Sequence, residues 1–180
     1  MSLFKKEITE EEASRQFVLA KLQEGNEWWQ QTYAGLKDTF GEKFIIQDEN
    51  MGIFDLLLAK IALHINSLRN LFPSAQSKRI RGHILKYVTS LEHADYTINE
   101  MQEYERVYNE SVRLTENPID AIAARLLRKW LGERIVDFEF EFFDKKTGAI
   151  SPMLLFFVDN IVTEGSGWKI IKDNFNIIEG

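Results

Sequence analysis

The stretch from Ser77 to Glu116 constrains this chain more than any other. It runs for roughly forty residues without a proline. Its apolar side chains (Ile80, Ile84, Tyr87, Leu91, Ala94, Ile98, Met101, Tyr108 and Val112) recur at close to helical spacing. One unbroken helix over that span would be on the order of 60 Å long at 1.5 Å per residue, longer than a compact domain is wide. Such a rod needs other helices, or a second copy of the chain, along its apolar seam. Gly82 and the Thr89-Ser90 pair weaken it, and His93-Ala94-Asp95 offers a bend. The pattern therefore also admits two helices broken near residues 90–96.

The segments on either side read as further helices. Thr9-Glu10-Glu11-Glu12 has the form of a capping box, and Ala13, Phe17, Ala20 and Leu22 supply an inward stripe. Gly25 is a stop signal, Asn26 a cap for a second helix carrying Trp28, Trp29, Tyr33, Leu36 and Phe40, and Gly41 its end. Adjacent tryptophans cannot both point the same way on a helix, which predicts one in the core and one at the surface or an interface. A helix over about 52–72 is apolar nearly all round, the pattern of a central core helix, and Pro73 ends it. Asn117-Pro118, with Asp120 at the third helical position, opens another helix whose apolar face is Ile119, Ile122, Ala123, Leu126, Leu127 and Trp130.

After Gly132 the period drops to two. Val136, Phe138, Phe140 and Phe142 alternate with Asp137, Glu139 and Glu141, which predicts a half-buried strand. A hairpin at Asp144–Gly148, a second strand over Met153–Val162, a Gly165-Ser166-Gly167 turn and a third strand over Trp168–Ile171 follow, with a short element at Phe175–Ile178. The expected fold is a single α+β domain over 1–180. A mainly helical bundle of about five helices, one of them long (8–132), packs on a small antiparallel β-meander (134–178). The run from the Lys146-Thr147-Gly148 hairpin to Gly167-Trp168-Lys169-Ile170-Ile171 resembles the closing strands of nuclear-transport-factor-like domains over about 40 of the 180 residues. That resemblance implies a curved sheet around a pocket. The long rod departs from the family pattern, and no site residue is carried over.

Hydrophobic residues at 44% are enough for a substantial core. The net charge of −6 argues against a nucleic-acid binder and an anionic membrane as partners. No cysteine is present, so no disulfide or thiolate chemistry is open to the chain, which fits a reducing cytoplasm. The N-terminus has no apolar core of a signal peptide, and the run Ile53–Leu63 is too short and too charged to span a bilayer.

No motif specifies a reaction. His64, His83 and His93 lack the Glu-x-x-His spacing of bundle metal sites, so neither metal nor cofactor is expected. Lys78, Arg79, Arg81, His83 and Lys86 form a basic run that suits an anion, or else pairs with the acidic last third of the rod (Glu100, Glu103, Glu105, Glu110 and Glu116) in the same chain or a mate. Trp130, Phe138, Phe140 and Trp168 are the side chains that would line a ligand pocket between helices and sheet. The expected function is a non-enzymatic cytoplasmic binding and assembly protein acting as an oligomer, through self-association or a protein partner. The alternatives are a small-molecule enzyme or carrier using that pocket, and anion or nucleic-acid binding through residues 78–86.

Overall fold

The computed structural model describes residues 5–40, 49–91, 93–131 and 167–180. In chain order these form β1 (Lys6–Thr9), α1 (Glu10–Phe40), α2 (Glu49–Leu71), α3 (Ser74–Leu91), α4 (Ala94–Arg113), α5 (Pro118–Leu131), α6 (Gly167–Asn174) and β2 (Phe175–Ile178). The class is α+β, mainly helical with a small sheet.

Thr9 starts α1 as its residue type demands, its hydroxyl accepting the Glu12 amide at 3.1 Å. The reach-back half of the capping box does not form, because Arg15 and Gln16 hold the Glu12 carboxylate at 2.8–2.9 Å. Gly25 does not stop the helix; α1 runs through it for 31 residues. An interior glycine costs only about 1 kcal/mol, and the buried positions Phe17, Val18, Lys21, Trp28 and Trp29 continue on both sides of it. Both adjacent tryptophans are buried, contrary to the one-in, one-out expectation. The Trp130 ring lies 6.2 Å from Trp28 and 5.1 Å from Trp29, so one aromatic group on α5 receives both.

Helix α2 is the hub, packed against α1, α3, α4 and α5. Leu56, Leu57, Leu58, Ala59, Ile61 and Ala62 are all buried, as all-round apolarity requires. By length and composition Asn50–Leu71 could cross a bilayer, but 72% of its most apolar window is buried inside the protein, which is how a core helix behaves. Gly52 is needed for the approach to α1, since a Cβ there would meet the Trp29 ring at 2.3 Å.

The rod is two helices. α3 ends at Leu91 and α4 begins at Ala94, with His93 in the left-handed region at φ 53°. Arg81 and Glu105 each lie twelve residues from His93 and would stand about 36 Å apart on a straight helix. Their side chains instead meet at 2.7 Å, so α4 doubles back along α3. Ile80, Ile84 and Val88 of α3 and Thr97, Met101 and Tyr104 of α4 are all buried.

The end of the chain corrects two expectations. Trp168–Ile171 is helical, not a third strand: α6 buries Trp168 and packs Ile171 three residues on, while Ile170 is left 55% exposed. A four-residue stretch with three apolar residues fits both periods, and here the helical one buries the tryptophan between Phe17 and Phe72, 5.0 and 5.9 Å away. The Phe175–Ile178 element exists as β2, but it pairs in parallel with β1, from Lys6↔Phe175 to Thr9↔Ile178. The described sheet is thus parallel where an antiparallel meander was expected, because the last strand finds the N-terminus of the chain. The strands expected at 136–142 and 153–162 lie outside the described residues.

Candidate functional site

Helices α4 and α5 carry the most organised polar constellation. Tyr96, Glu100 and Tyr104 recur every fourth residue on α4, which puts them on one stripe. Arg125 and Lys129 stand at the same spacing on α5 and interleave with them. Lys129 Nζ is 3.1 Å from Glu100 and 2.8 Å from Asp55, which reaches in from α2. Arg125 is 3.1 Å from the same Glu100 carboxylate. Each cation also lies over a tyrosine ring, Lys129 4.4 Å above Tyr96 and Arg125 5.3 Å above Tyr104. Tyr96 donates its hydroxyl hydrogen to Asp55 and accepts a hydrogen bond from Lys129.

This ladder ties three helices together, and it sets the protonation of its members. Burial, then the hydrogen bond to Asp55, pushes the Tyr96 hydroxyl well above an ordinary phenol. Burial does the same to Tyr104, with the Asp55 and Glu100 charges adding to it. Both shifts keep the tyrosines neutral at physiological pH. The Tyr104 hydroxyl and Arg125 Nε are buried with no hydrogen-bond partner among the described residues.

Glu100, Arg125 and Lys129 of this ladder line a groove of roughly 860 Å³ between α4 and α5. Val107, Leu114, Ala121 and Ala124 supply its apolar lining. The α4–α5 connection closes one end. There α4 finishes in a Schellman motif, with Glu116 N–H donating to the Ser111 carbonyl at 2.8 Å and Thr115 N–H to the Val112 carbonyl at 3.2 Å. Asn117 then caps α5 by accepting the Ile119 amide at 3.1 Å.

The basic run at the start of α3 is met by carboxylates of its own chain. Arg79 makes a two-pronged bond to the buried Glu10 at 2.8 and 2.9 Å, Lys86 approaches Glu11 at 3.5 Å and Arg81 pairs with Glu105. Of these pairs, Arg81–Glu105 joins the basic and acidic thirds of the rod within one molecule. Lys78 is exposed, and His83 lines a shallow cavity of roughly 320 Å³ between α1 and α3.

The pocket candidates are not brought together. Trp130 packs with Trp28 and Trp29, Trp168 packs with Phe17 and Phe72, and neither lines the α4–α5 groove. Phe138 and Phe140 lie outside the described residues. His64 is buried against Phe17, and burial, with the charges of Lys21 and Lys60, lowers its pKa to about 3. Glu24 bonds Lys21 at 2.6 Å and lies 3.8 Å from Lys60. Among the described residues no three histidine, aspartate or glutamate side chains gather as a metal site would require.

Sequence reasoning placed Glu100 on an exposed acidic face and passed over Tyr96, Tyr104 and Asp55. The recoverable signal was the Tyr-x-x-x-Glu-x-x-x-Tyr spacing set against Arg-x-x-x-Lys on the next helix. Compared with protein-family models, with curated proteins and with solved structures, the chain matches none.

Proposed function

We propose that this chain is a non-enzymatic binding and assembly protein that works as an oligomer in the cytoplasm, with the α4–α5 groove as its docking face. The observation that carries the reading is the groove itself. It is open, Val107, Leu114, Ala121 and Ala124 lie among the eight charged side chains of its lining, and Leu114 stands 50% exposed. Large apolar side chains left in water next to a concave face are what an interface covers.

The ionisable groups of the ladder, three of which line the groove, favour binding over proton transfer. Asp55 and Glu100 are each engaged by cations, and the tyrosines are held neutral. The lack of cysteine suits a reducing compartment. The same reading keeps residues 134–162 as an antiparallel pair of strands against the helices. The alternation of Val136, Phe138, Phe140 and Phe142 with acidic residues supports that pairing.

Sedimentation velocity with light scattering, from low to high micromolar protein, tests the proposal. The expected result is a mass that rises with concentration to a defined oligomer. A monodisperse monomer at the highest concentration would contradict it.

A further inference from the structure

We propose that the cavity where α2, α3 and α4 meet is a second binding site, for a small, largely apolar, uncharged molecule that carries one hydrogen-bond donor. The cavity measures roughly 260 Å³ and shares no lining residue with the α4–α5 groove. Ile98, Met101, Gln102 and Glu105 line it at the spacing of one helical face of α4. Glu100, which belongs to the ladder, is two residues from both Ile98 and Gln102, about 200° round the helix. The two sites therefore lie on different faces of α4. Ala62, Ile65 and Met101 are each no more than 8% exposed, whereas Ile98 stands 45% exposed. The cavity thus combines buried apolar lining with an apolar side chain that an occupant would cover.

Size, charge and hydrogen bonding choose the occupant. An apolar cavity of about 150 Å³ holds a benzene ring, so this one suits two fused rings. It does not admit a helix about 10 Å across. The only charged groups of the lining, Arg81 and Glu105, meet each other at 2.7 Å. An ion would give up its hydration for a pair whose charges already cancel, so the occupant is neutral. Asn66 donates through Nδ2 to the Ala62 carbonyl at 2.9 Å, which leaves its Oδ1 open to a donor. The Thr89 hydroxyl donates to the Leu85 carbonyl at 2.8 Å, so its oxygen is likewise left as an acceptor. An N–H or O–H on the ligand answers both. A molecule lodged there touches the hub and both arms of the α3–α4 fold-back.

Indole is the probe, with indene as the same shape lacking the N–H and indole-2-carboxylate as the same rings with a charge. Each is titrated into the full-length protein, labelled with nitrogen-15 and followed by two-dimensional amide NMR. Indole is expected to shift amides within 62–66, 81–89 and 97–105 with a Kd of about 1 mM or tighter. Indene is expected to bind at least about fivefold more weakly, and the carboxylate at least about tenfold more weakly. Ile98→Glu, at a half-exposed position, is expected to weaken indole at least about fivefold, with its amide spectrum showing the fold retained. The wild-type map stands whether or not that variant folds. No shift in those three segments up to the solubility of indole, or a folded Ile98→Glu that binds indole unchanged, overturns the site. Indene or the carboxylate binding as tightly as indole overturns the chemistry assigned to its ligand.

Discussion

The two hairpins that α4 makes, with α3 before it and with α5 after it, reverse the chain by different means. The α3–α4 reversal sets His93 left-handed with no side-chain cap on the helix that follows. The charged pair identified across it, Arg81–Glu105, is more than a third exposed on both sides. The α4–α5 reversal uses a complete Schellman motif and an asparagine cap, and its helices are then locked by Asp55, Lys129, Glu100 and Arg125. Exposed ion pairs contribute little, whereas a charge left alone in a buried site costs several kcal/mol. The first hairpin is therefore held by apolar burial on α2, and the second by its own local chemistry.

The comparison breaks most visibly at Lys129. Lys129→Ala leaves the buried Asp55 carboxylate without its cation and is expected to destabilise by about 3 kcal/mol in urea titration. A loss below about 1 kcal/mol would remove the ladder from the account. His64, on the hub and away from both turns, serves as a pH control. Its folded pKa is lowered to about 3, so the unfolded chain takes up the proton first. Its contribution is present above about pH 6.5 and is lost as pH falls toward 3, at about 1.4 kcal/mol per pH unit. His64→Gln should flatten the stability curve across that window, and a slope unchanged from wild type would show the imidazole to be hydrated.

At the second turn, Asn117→Ala removes the cap of α5 and is expected to cost about 1 kcal/mol by thermal melting. Thr115 sits left-handed at φ 59°, where a β-branched residue is strained. Thr115→Gly is expected to gain about 0.5–1 kcal/mol, and a loss instead would mean that the Thr115 side chain contributes more than its backbone strain removes. The smallest effect belongs to the first hairpin. Arg81→Ala should change stability by less than about 0.5 kcal/mol, and a larger loss would make that pair a second lock.

The same contrast explains which parts of the fold were legible. Asn117-Pro118 announced its helix because a cap and a proline act within a few residues. The hub announced itself because all-round apolarity has few other uses, and Pro73 marked its end. The break at His93 carries no glycine, proline or asparagine. It was offered only as an alternative, since the burial of Ile84 and Met101 on opposite arms is settled by packing on α2. Gly25 misled for the converse reason, its local signal being overridden by the tryptophans that follow it. Trp168-Lys169-Ile170-Ile171 was too short for either period to win, and β2 found its partner at Lys6–Thr9, far away in sequence. The ladder went unread because its spacing, present in the sequence, gains meaning only once α4 and α5 are known to face each other.

The fold-back of α4 on α3 is the claim on which the hub, the ladder and the groove all depend. Spin labels at the exposed positions Lys78 and Asn109, which lie on either side of His93, measure it directly by pulsed electron resonance. Neighbouring helices 8–10 Å apart with flexible labels predict a distance below about 25 Å. A continuous rod would hold the two positions about 46 Å apart at 1.5 Å per residue, and a distance near that value would contradict the account.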